Sequence, residues 1–236
     1  MTKLAAVIFD VDGTLADTEK DGHRVAFNQA FEQAKLDWDW TVDIYGELLK
    51  VTGGKERIKH YLAHFLTDFQ VQGDLDEFVA GLHQQKTHFY KKLLSEGKIP
   101  LRTGVKRLLD ELREKNIRLA IATTTTPVNV EYLISNALSK EALDWFEVIA
   151  AGDIVPAKKP APDIFSYAMQ KMGLEPDACI AFEDSRNGFL SARDSGIKDI
   201  VVTINGYTKN DDFTGASLVV DDLGDVNVDS LLQLKT

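Results

Sequence analysis

An α/β fold built on a parallel sheet, interrupted early by an all-helical insertion, is what this sequence predicts. Three observations lead there. A short, partly β-branched apolar run, residues 4–9, breaks into Asp10-Val11-Asp12-Gly13-Thr14, as a buried strand does on entering a turn. Beyond residue 104, short apolar runs alternate with helical patterns, the grammar of a sheet covered by helices. Between them, from about residue 17 to residue 95, the periodicity is helical and no strand is evident.

Each element follows in order. After Leu15, the polar segment 16–19 reads as a hinge. From Lys20 the residues His23, Phe27, Ala30, Phe31 and Ala34 share one helical face. A second helix covers about 41–50, with Tyr45, Leu48 and Leu49, and Thr52-Gly53-Gly54 breaks it. Lys55 opens a third, whose apolar face carries Ile58, Tyr61, Leu62 and Phe65, and a fourth runs over about 76–95. Residues 96–104 form a linker. Strands are predicted over 117–122, 148–150, 179–182, 200–204 and 218–220, with helices marked by Val105, Leu108, Leu109 and Leu112, by Val130, Leu133 and Ile134, and by Ile164, Phe165, Ala168, Met169 and Met172. Gly173 is placed to stop the last of these. The domain reading is an α/β core of residues 1–16 and 97–236, with a helical insertion of 17–96 that leaves and rejoins it near Asp10 and Asp12. Such an insertion suits a lid that excludes water.

The bulk properties narrow the function classes. A chain of 236 residues with 44% hydrophobic and 27% charged residues is an ordinary globular protein. A net charge of −10 argues against a nucleic-acid or anionic-membrane surface. The single cysteine, Cys179, lies in an apolar stretch and reads as core, so no disulfide framework exists within one chain. The first apolar run is too short for a signal peptide or membrane span, and a cytoplasmic protein is expected.

Chemistry collects after four strands, whose ends point the same way in a parallel sheet. Asp10 and Asp12 follow the first, Thr123 and Thr124 the second, Lys158-Lys159-Pro160 the third, and Glu183-Asp184 the fourth. Crowded carboxylates repel unless a cation lies between them, and oxygen ligands suit Mg²⁺. Acids, one fixed positive charge and a hydroxyl are the inventory of phosphoryl transfer. Each piece also has a plainer reading: an Asx-type turn, threonine turn chemistry, an exposed Lys-Lys-Pro loop, and a helix cap at Glu183-Asp184-Ser185. All four would have to coincide, in order, at four strand ends.

The succession of Asp10-Val11-Asp12-Gly13-Thr14, a strand ending in threonine, Lys159-Pro160-Ala161-Pro162-Asp163-Ile164-Phe165 and Phe182-Glu183-Asp184-Ser185-Arg186-Asn187-Gly188 resembles the haloacid dehalogenase superfamily of phosphatases and phosphomutases. The resemblance spans nearly the whole chain. A helical insertion after the first motif resembles its small-cap subgroup. The stretches 17–24, 45–49, 52–57 and 81–87 are similar to the CbbY group, which is associated with Calvin-cycle organisms and includes phosphatases of xylulose 1,5-bisphosphate, a Rubisco inhibitor.

The resemblance implies a HAD-like, Rossmann-type core and a Mg²⁺-dependent phosphoric monoester hydrolase, acting as a monomer on a small-molecule sugar phosphate. Asp10 would be the nucleophile that forms an aspartyl-phosphate, and Asp12 the general acid and base, its carbonyl a Mg²⁺ ligand. Thr123, with the Thr124 backbone, would bind the phosphoryl group, and Lys159 rather than Lys158 would neutralise it. Asp184 would ligate Mg²⁺, with Glu183 in or near that shell. In the insertion, Gly53-Gly54 opening a helix, with Lys55 and Arg57, reads as an anion site for a second phosphate or as a solvated helix start. Glu19, His23 and Tyr45 are candidates for the sugar hydroxyls; His23 is otherwise a residue of a buried face. Glu19 and His23 are four residues apart where many small-cap relatives have three, which speaks against a mutase-type role for His23. The rival activities are a hexose phosphomutase of β-phosphoglucomutase type, a phosphoglycolate phosphatase, and a sugar-phosphate sensor without chemistry.

Overall fold

The computed structural model describes residues 3–51 and 53–235. The chain divides into two compact units, residues 1–17 with 99–236, and residues 18–98. The boundaries follow local bonding. Asp17 faces Arg102 within the first unit at 3.8 Å, whereas the Lys98 N–H donates to Leu93 O at 3.0 Å at the close of the last helix of the second.

The first unit is a six-stranded parallel sheet: β1 (Ala6–Phe9), β2 (Arg118–Thr123), β3 (Phe146–Ala151), β4 (Cys179–Glu183), β5 (Asp199–Thr203) and β6 (Leu218–Val220), in the order β3-β2-β1-β4-β5-β6. β1 and β4 are buried throughout, which is why they read as unbroken apolar runs; β6, at one edge, alternates in exposure. The order reverses at β1, whose neighbours are β2 and β4. Phe9 pairs with both Ile121 and Phe182, so the residues that follow these strands emerge side by side. Phe9 and Phe182 stack at 4.8 Å beneath that edge.

The helices of this unit carry their start and stop signals in sequence. An added Cβ at Gly104, which has φ +81°, would run into Leu223 O, so glycine is required there, just before the helix that starts at Val105. The helices in chain order are α1 (Arg24–Gln33), α2 (Val42–Leu48), α3 (Gly54–His64), α4 (Leu75–Ser95), α5 (Val105–Glu114), α6 (Pro127–Ala137), α7 (Asp163–Met172), α8 (Arg186–Asp194) and α9 (Val228–Leu234). Thr126 caps α6 and Ser185 caps α8 by accepting backbone N–H groups, and Gly173 ends α7 in the left-handed region. α7 and α8 bury Phe165, Met169, Phe189 and Ala192 in a cluster with Ala6, Ile8, Ala120 and Ala181 of the sheet. Helix α9 escapes a reading by periodicity because it is short; Asn227 and Ser230 form a capping box at its start. Cys179 is fully buried at the head of β4, and burial pushes its thiol up to about 11.

The second unit contains α1 to α4. A π-helical turn, Thr18–His23, precedes α1, so the segment read as a hinge is already helical at Thr18. The core of this unit is aromatic: Trp40 meets Phe27 at 4.5 Å, Phe31 at 5.0 Å and Tyr61 at 5.4 Å. Phe65, expected on the apolar face of α3, is 43% exposed, because α3 ends at His64 and Phe65 occupies its C-terminal cap. Thr52, read as part of the break before α3, lies outside the described residues.

At the amino end of the strands, the buried Lys235 ammonium donates to Asp177 O and Cys179 O, both at 2.8 Å, and pairs with Asp199 at 2.7 Å. Replacing it strands two carbonyls and a carboxylate. Lys235→Met is expected to lower unfolding free energy by about 1–3 kcal/mol in urea titration, with an unchanged m-value.

Candidate active site

The crevice at the reversal of strand order is where ligands bind in open α/β sheets. Asp10 follows β1 there, its N–H donating to Phe182 O at 2.9 Å, while Glu183 ends β4 and Asp184 follows. Lys159, from the loop between β3 and α7, reaches into the same place. Its ammonium donates to Asp10 Oδ1 at 2.6 Å, Glu183 Oε1 at 2.5 Å and Ala122 O at 2.8 Å, which uses all three protons. The exposed Lys158 pairs instead with Asp153 at 2.9 Å. Carboxylate oxygens of Asp10, Glu183 and Asp184 lie within 4.8 Å of one another, and all three residues are buried.

With every group ionised, the charges of these four side chains would not balance: three carboxylates against one ammonium is an excess of two negative charges. Burial disfavours the Lys159 ammonium, but Asp10 and Glu183 outweigh it and raise its pKa above the usual lysine value. Burial pushes Glu183 up to about 8 against the pull of Lys159, with Asp10 pushing the same way. Asp184 is held well above the usual carboxylate range by burial and then by the charges of Asp10 and Glu183, although Asn205 Nδ2 donates to its Oδ2 at 2.7 Å. A divalent cation fits this donor set in charge and in ligand chemistry.

Two glycines let the acids approach. Gly13, at φ +88°, leaves no room for a Cβ because Asp184 Oδ2 occupies that place. Gly188, in the first turn of α8, lies equally close to the Glu183 carboxylate. Thr123, 1% exposed, accepts the Thr125 N–H at 3.3 Å on its hydroxyl oxygen, which leaves the hydroxyl proton to donate. The run of four threonines thus separates by environment: Thr123 is buried at the strand end, Thr124 is exposed, Thr125 accepts from Asn129 and Thr126 caps α6. Asp12, one residue beyond Val11, is partly buried in the same loop, where it bridges to Ala16.

In the helical unit, Tyr45 donates to Glu19 Oε2 at 2.6 Å, and Arg57 donates to Tyr45 Oη at 3.1 Å and to Val51 O at 2.9 Å. His23 stacks on Tyr90 at 3.9 Å, and its Nδ1 lies 2.7 Å from the Lys86 ammonium. An ammonium only donates, so Nδ1 accepts and the ring proton belongs on Nε2. Burial, then the charges of Lys86, Arg57 and His83, hold His23 well below the usual imidazole value and keep it neutral. Gly54 packs so close to the His83 ring that a Cβ would overlap it. The Gly53-Gly54 helix start is partly taken: Glu56 folds back against Gly53, and Lys55 is exposed. Sequence reasoning assigned no role to Lys86, His83 or Asn205. Their only signal was that Lys86 and His83 fall in the stretch 81–87; a lysine buried beside a histidine 63 residues away leaves no local pattern.

Residues 4–196 match the family model described as a haloacid dehalogenase-like hydrolase. The chain is 48% identical to protein CbbY of Rhodobacter capsulatus over 94% of each chain. The chain belongs to the haloacid dehalogenase-like hydrolases, in the CbbY group. Crystal structures of CbbY from Rhodobacter sphaeroides, one with phosphate and one of a mutant with xylulose 1,5-bisphosphate, superpose on this hydrolase with TM-score 0.82 at 40% identity, over 97% of this chain and 99% of theirs. A phosphorylated carbohydrates phosphatase of Thermotoga maritima is 29% identical over 84% of each chain. This hydrolase is a phosphatase, with a buried acidic triad able to hold a metal ion. Among its described residues no helix is long and apolar enough to cross a membrane.

Two outcomes follow from this geometry. Burial pushes Glu183 up to about 8 and raises Asp184 as well, so a divalent cation would compete there with protons and bind more tightly as pH climbs toward 8. The increase in melting temperature on adding Mg²⁺ is expected to be larger at about pH 8 than at about pH 6. Gly188→Ala drives a methyl group into Glu183, which holds Lys159. Its kcat is expected to fall about 10- to 100-fold, measured as phosphate release.

Proposed function

We propose that this phosphatase hydrolyses a sugar bisphosphate, xylulose 1,5-bisphosphate, to xylulose 5-phosphate through an aspartyl-phosphate, with Mg²⁺ as its metal. The observation that carries the chemistry is the Asp10 carboxylate held by Lys159 beside Asp184 at the carboxyl edge of the sheet. Asp10 attacks phosphorus, forming a carboxylate–phosphorus bond as the sugar–oxygen bond to phosphorus breaks. Asp12 gives its proton to the leaving sugar oxygen. It then takes a proton from the water that cleaves the aspartyl-phosphate and releases inorganic phosphate. The phosphoryl oxygens arriving at Asp10 meet an ammonium already fixed by three acceptors, and the Thr123 hydroxyl donates to them. When bound by Asp10, Asp184 and the Asp12 carbonyl, with Glu183 adjoining, Mg²⁺ supplies neutralisation of the transferred group's charge.

The choice of sugar is assigned to the helical unit. Arg57 and Lys86, two cations with buried or nearly buried side chains, share a neighbourhood with neutral His23 and offer recognition of a non-reacting phosphate. Glu19 and Tyr45, hydrogen-bonded to each other, offer an acceptor and a polar edge for sugar hydroxyls. The CbbY relative solved with xylulose 1,5-bisphosphate supports the substrate.

The test is phosphate release with Mg²⁺ from xylulose 1,5-bisphosphate, ribulose 1,5-bisphosphate, β-glucose 1-phosphate and phosphoglycolate, with Asp10→Asn beside the wild type. Preference for xylulose 1,5-bisphosphate, lost at least about 10³-fold in Asp10→Asn, is the expected result. Isomerised glucose phosphate without free phosphate would establish a mutase instead. Turnover undiminished in Asp10→Asn, or in excess chelator, would refute the mechanism.

A further inference from the structure

The segment by which the chain re-enters the α/β unit, residues 99–104, carries an arginine that no step above uses. The Arg102 side chain is 8% exposed. Its guanidinium donates to four backbone carbonyls: Gly13 O, Thr203 O at 3.1 Å, Ile204 O at 2.6 Å and Asp221 O at 2.6 Å. The Thr203 hydroxyl lies 3.3 Å away, Asp17 Oδ1 lies 3.8 Å from Nε, and the Arg102 N–H donates to Leu15 O at 2.8 Å. These acceptors belong to the loop after β1 and to the ends of β5 and β6, so one side chain spans three strand ends on the carboxyl edge of the sheet. A planar fork of five donors satisfies such a set, and a single ammonium of three protons does not.

The loop it grips is the loop of Asp10 and Asp12. Gly13, whose carbonyl Arg102 holds, packs directly against Asp184 Oδ2 and Asn205 Nδ2, the latter an atom that itself bonds Asp184. Asn205 follows the end of β5, next to two of the carbonyls that Arg102 binds. A shift of Gly13 therefore changes both where Asp12 stands and how Asp184 is seated. We propose that Arg102 is a positioning residue for phosphoryl transfer: it fixes the loop of residues 12–16 against the β5 and β6 ends, setting the Asp12 carboxyl and Asp184 relative to Asp10. This rests on the roles proposed above for Asp10 and Asp12.

The rival is that Arg102 only stabilises the sheet, as Lys235 does at the opposite end of the strands, where it too is a buried cation bonded to backbone carbonyls. Lys235 is therefore the control. Full-length wild type, Arg102→Lys, Arg102→Ala, Lys235→Met and Asp10→Asn are compared in steady-state phosphate release on the substrate that the wild type prefers, and in thermal unfolding. Arg102→Ala is expected to lose about 10- to 100-fold in kcat with KM within about twofold, because misplacement costs the transition state rather than binding. Arg102→Lys should recover part of that loss. Guanidinium ion, at concentrations far below denaturing, should raise kcat of Arg102→Ala while equal NaCl does not. Lys235→Met should lose melting temperature and keep its kcat. Wild-type kcat in the Arg102 variants despite a lowered melting temperature, or an equal kcat loss in Lys235→Met, would overturn the inference. If Arg102→Ala does not fold, Arg102→Lys decides: a lowered kcat at unchanged KM supports the role, and an unchanged kcat refutes it. Wild-type turnover that survives in Asp10→Asn would instead bring down the parent mechanism, and the positioning role with it.

Discussion

Three buried carboxylates crowd together where the strand order of the sheet reverses, and one ammonium pairs with two of them. Most of the α/β unit can be understood as the means of tolerating that imbalance. Backbone pairing fixes Asp10 beside the end of β4, because Asp10 N–H is bonded to Phe182 O. The stacked Phe9 and Phe182 form a rigid apolar floor that removes water from one side, which raises the cost of uncompensated charge. Lys159 answers part of that cost with three hydrogen bonds. The remainder is what a divalent cation would offset.

Close approach is achieved by omission as well as by attraction. Glycine stands where the Asp184 carboxylate meets the loop after β1 and where Glu183 meets the first turn of α8. Both glycines belong to motifs that carry acids, so the spacing of those motifs records a steric need alongside a chemical one. The same economy appears at the edges of the motifs. Ser185 and Thr126 do cap helices, as the plainer reading of those stretches held, while their neighbours Asp184 and Thr123 are buried at the strand ends. The two readings of each stretch were not exclusive, because one turn can cap a helix and aim the preceding side chain.

The helical unit follows a different physical rule. Its polar cluster is built on an aromatic core, so its cations are surrounded by ring faces: Lys86 lies 5.1 Å from the Phe27 centroid and Arg57 lies 5.6 Å from that of Tyr45. Arg57 is already bonded to Val51 O and Tyr45, and the helix start at Gly53 is approached by Glu56. Of the residues expected to form an anion site, Gly53, Gly54, Lys55 and Arg57, only Arg57 joins this ring-lined cluster, and Lys55 faces solvent.

Much of this was legible in the sequence. Apolar runs of strand length, the helical periods between them and the acids after β1 and β4 are local signals, set by side-chain period and turn chemistry within a few residues. They specify the α/β class, the helical insertion and the identities of Asp10, Thr123, Lys159, Glu183 and Asp184 as strand-end groups. Lys159 was preferred over Lys158 because it directly precedes Pro160, and the structure turns Lys159 inward and Lys158 to solvent. Tertiary structure alone decided which distant groups meet: Lys86 with His23, Asn205 with Asp184, and Arg102 with Gly13. Each of these joins residues from separate elements, so nothing within a helix turn or a strand repeat encodes it. It arises only when packing has brought the ends of the chain's segments together and left a buried polar atom that must be satisfied.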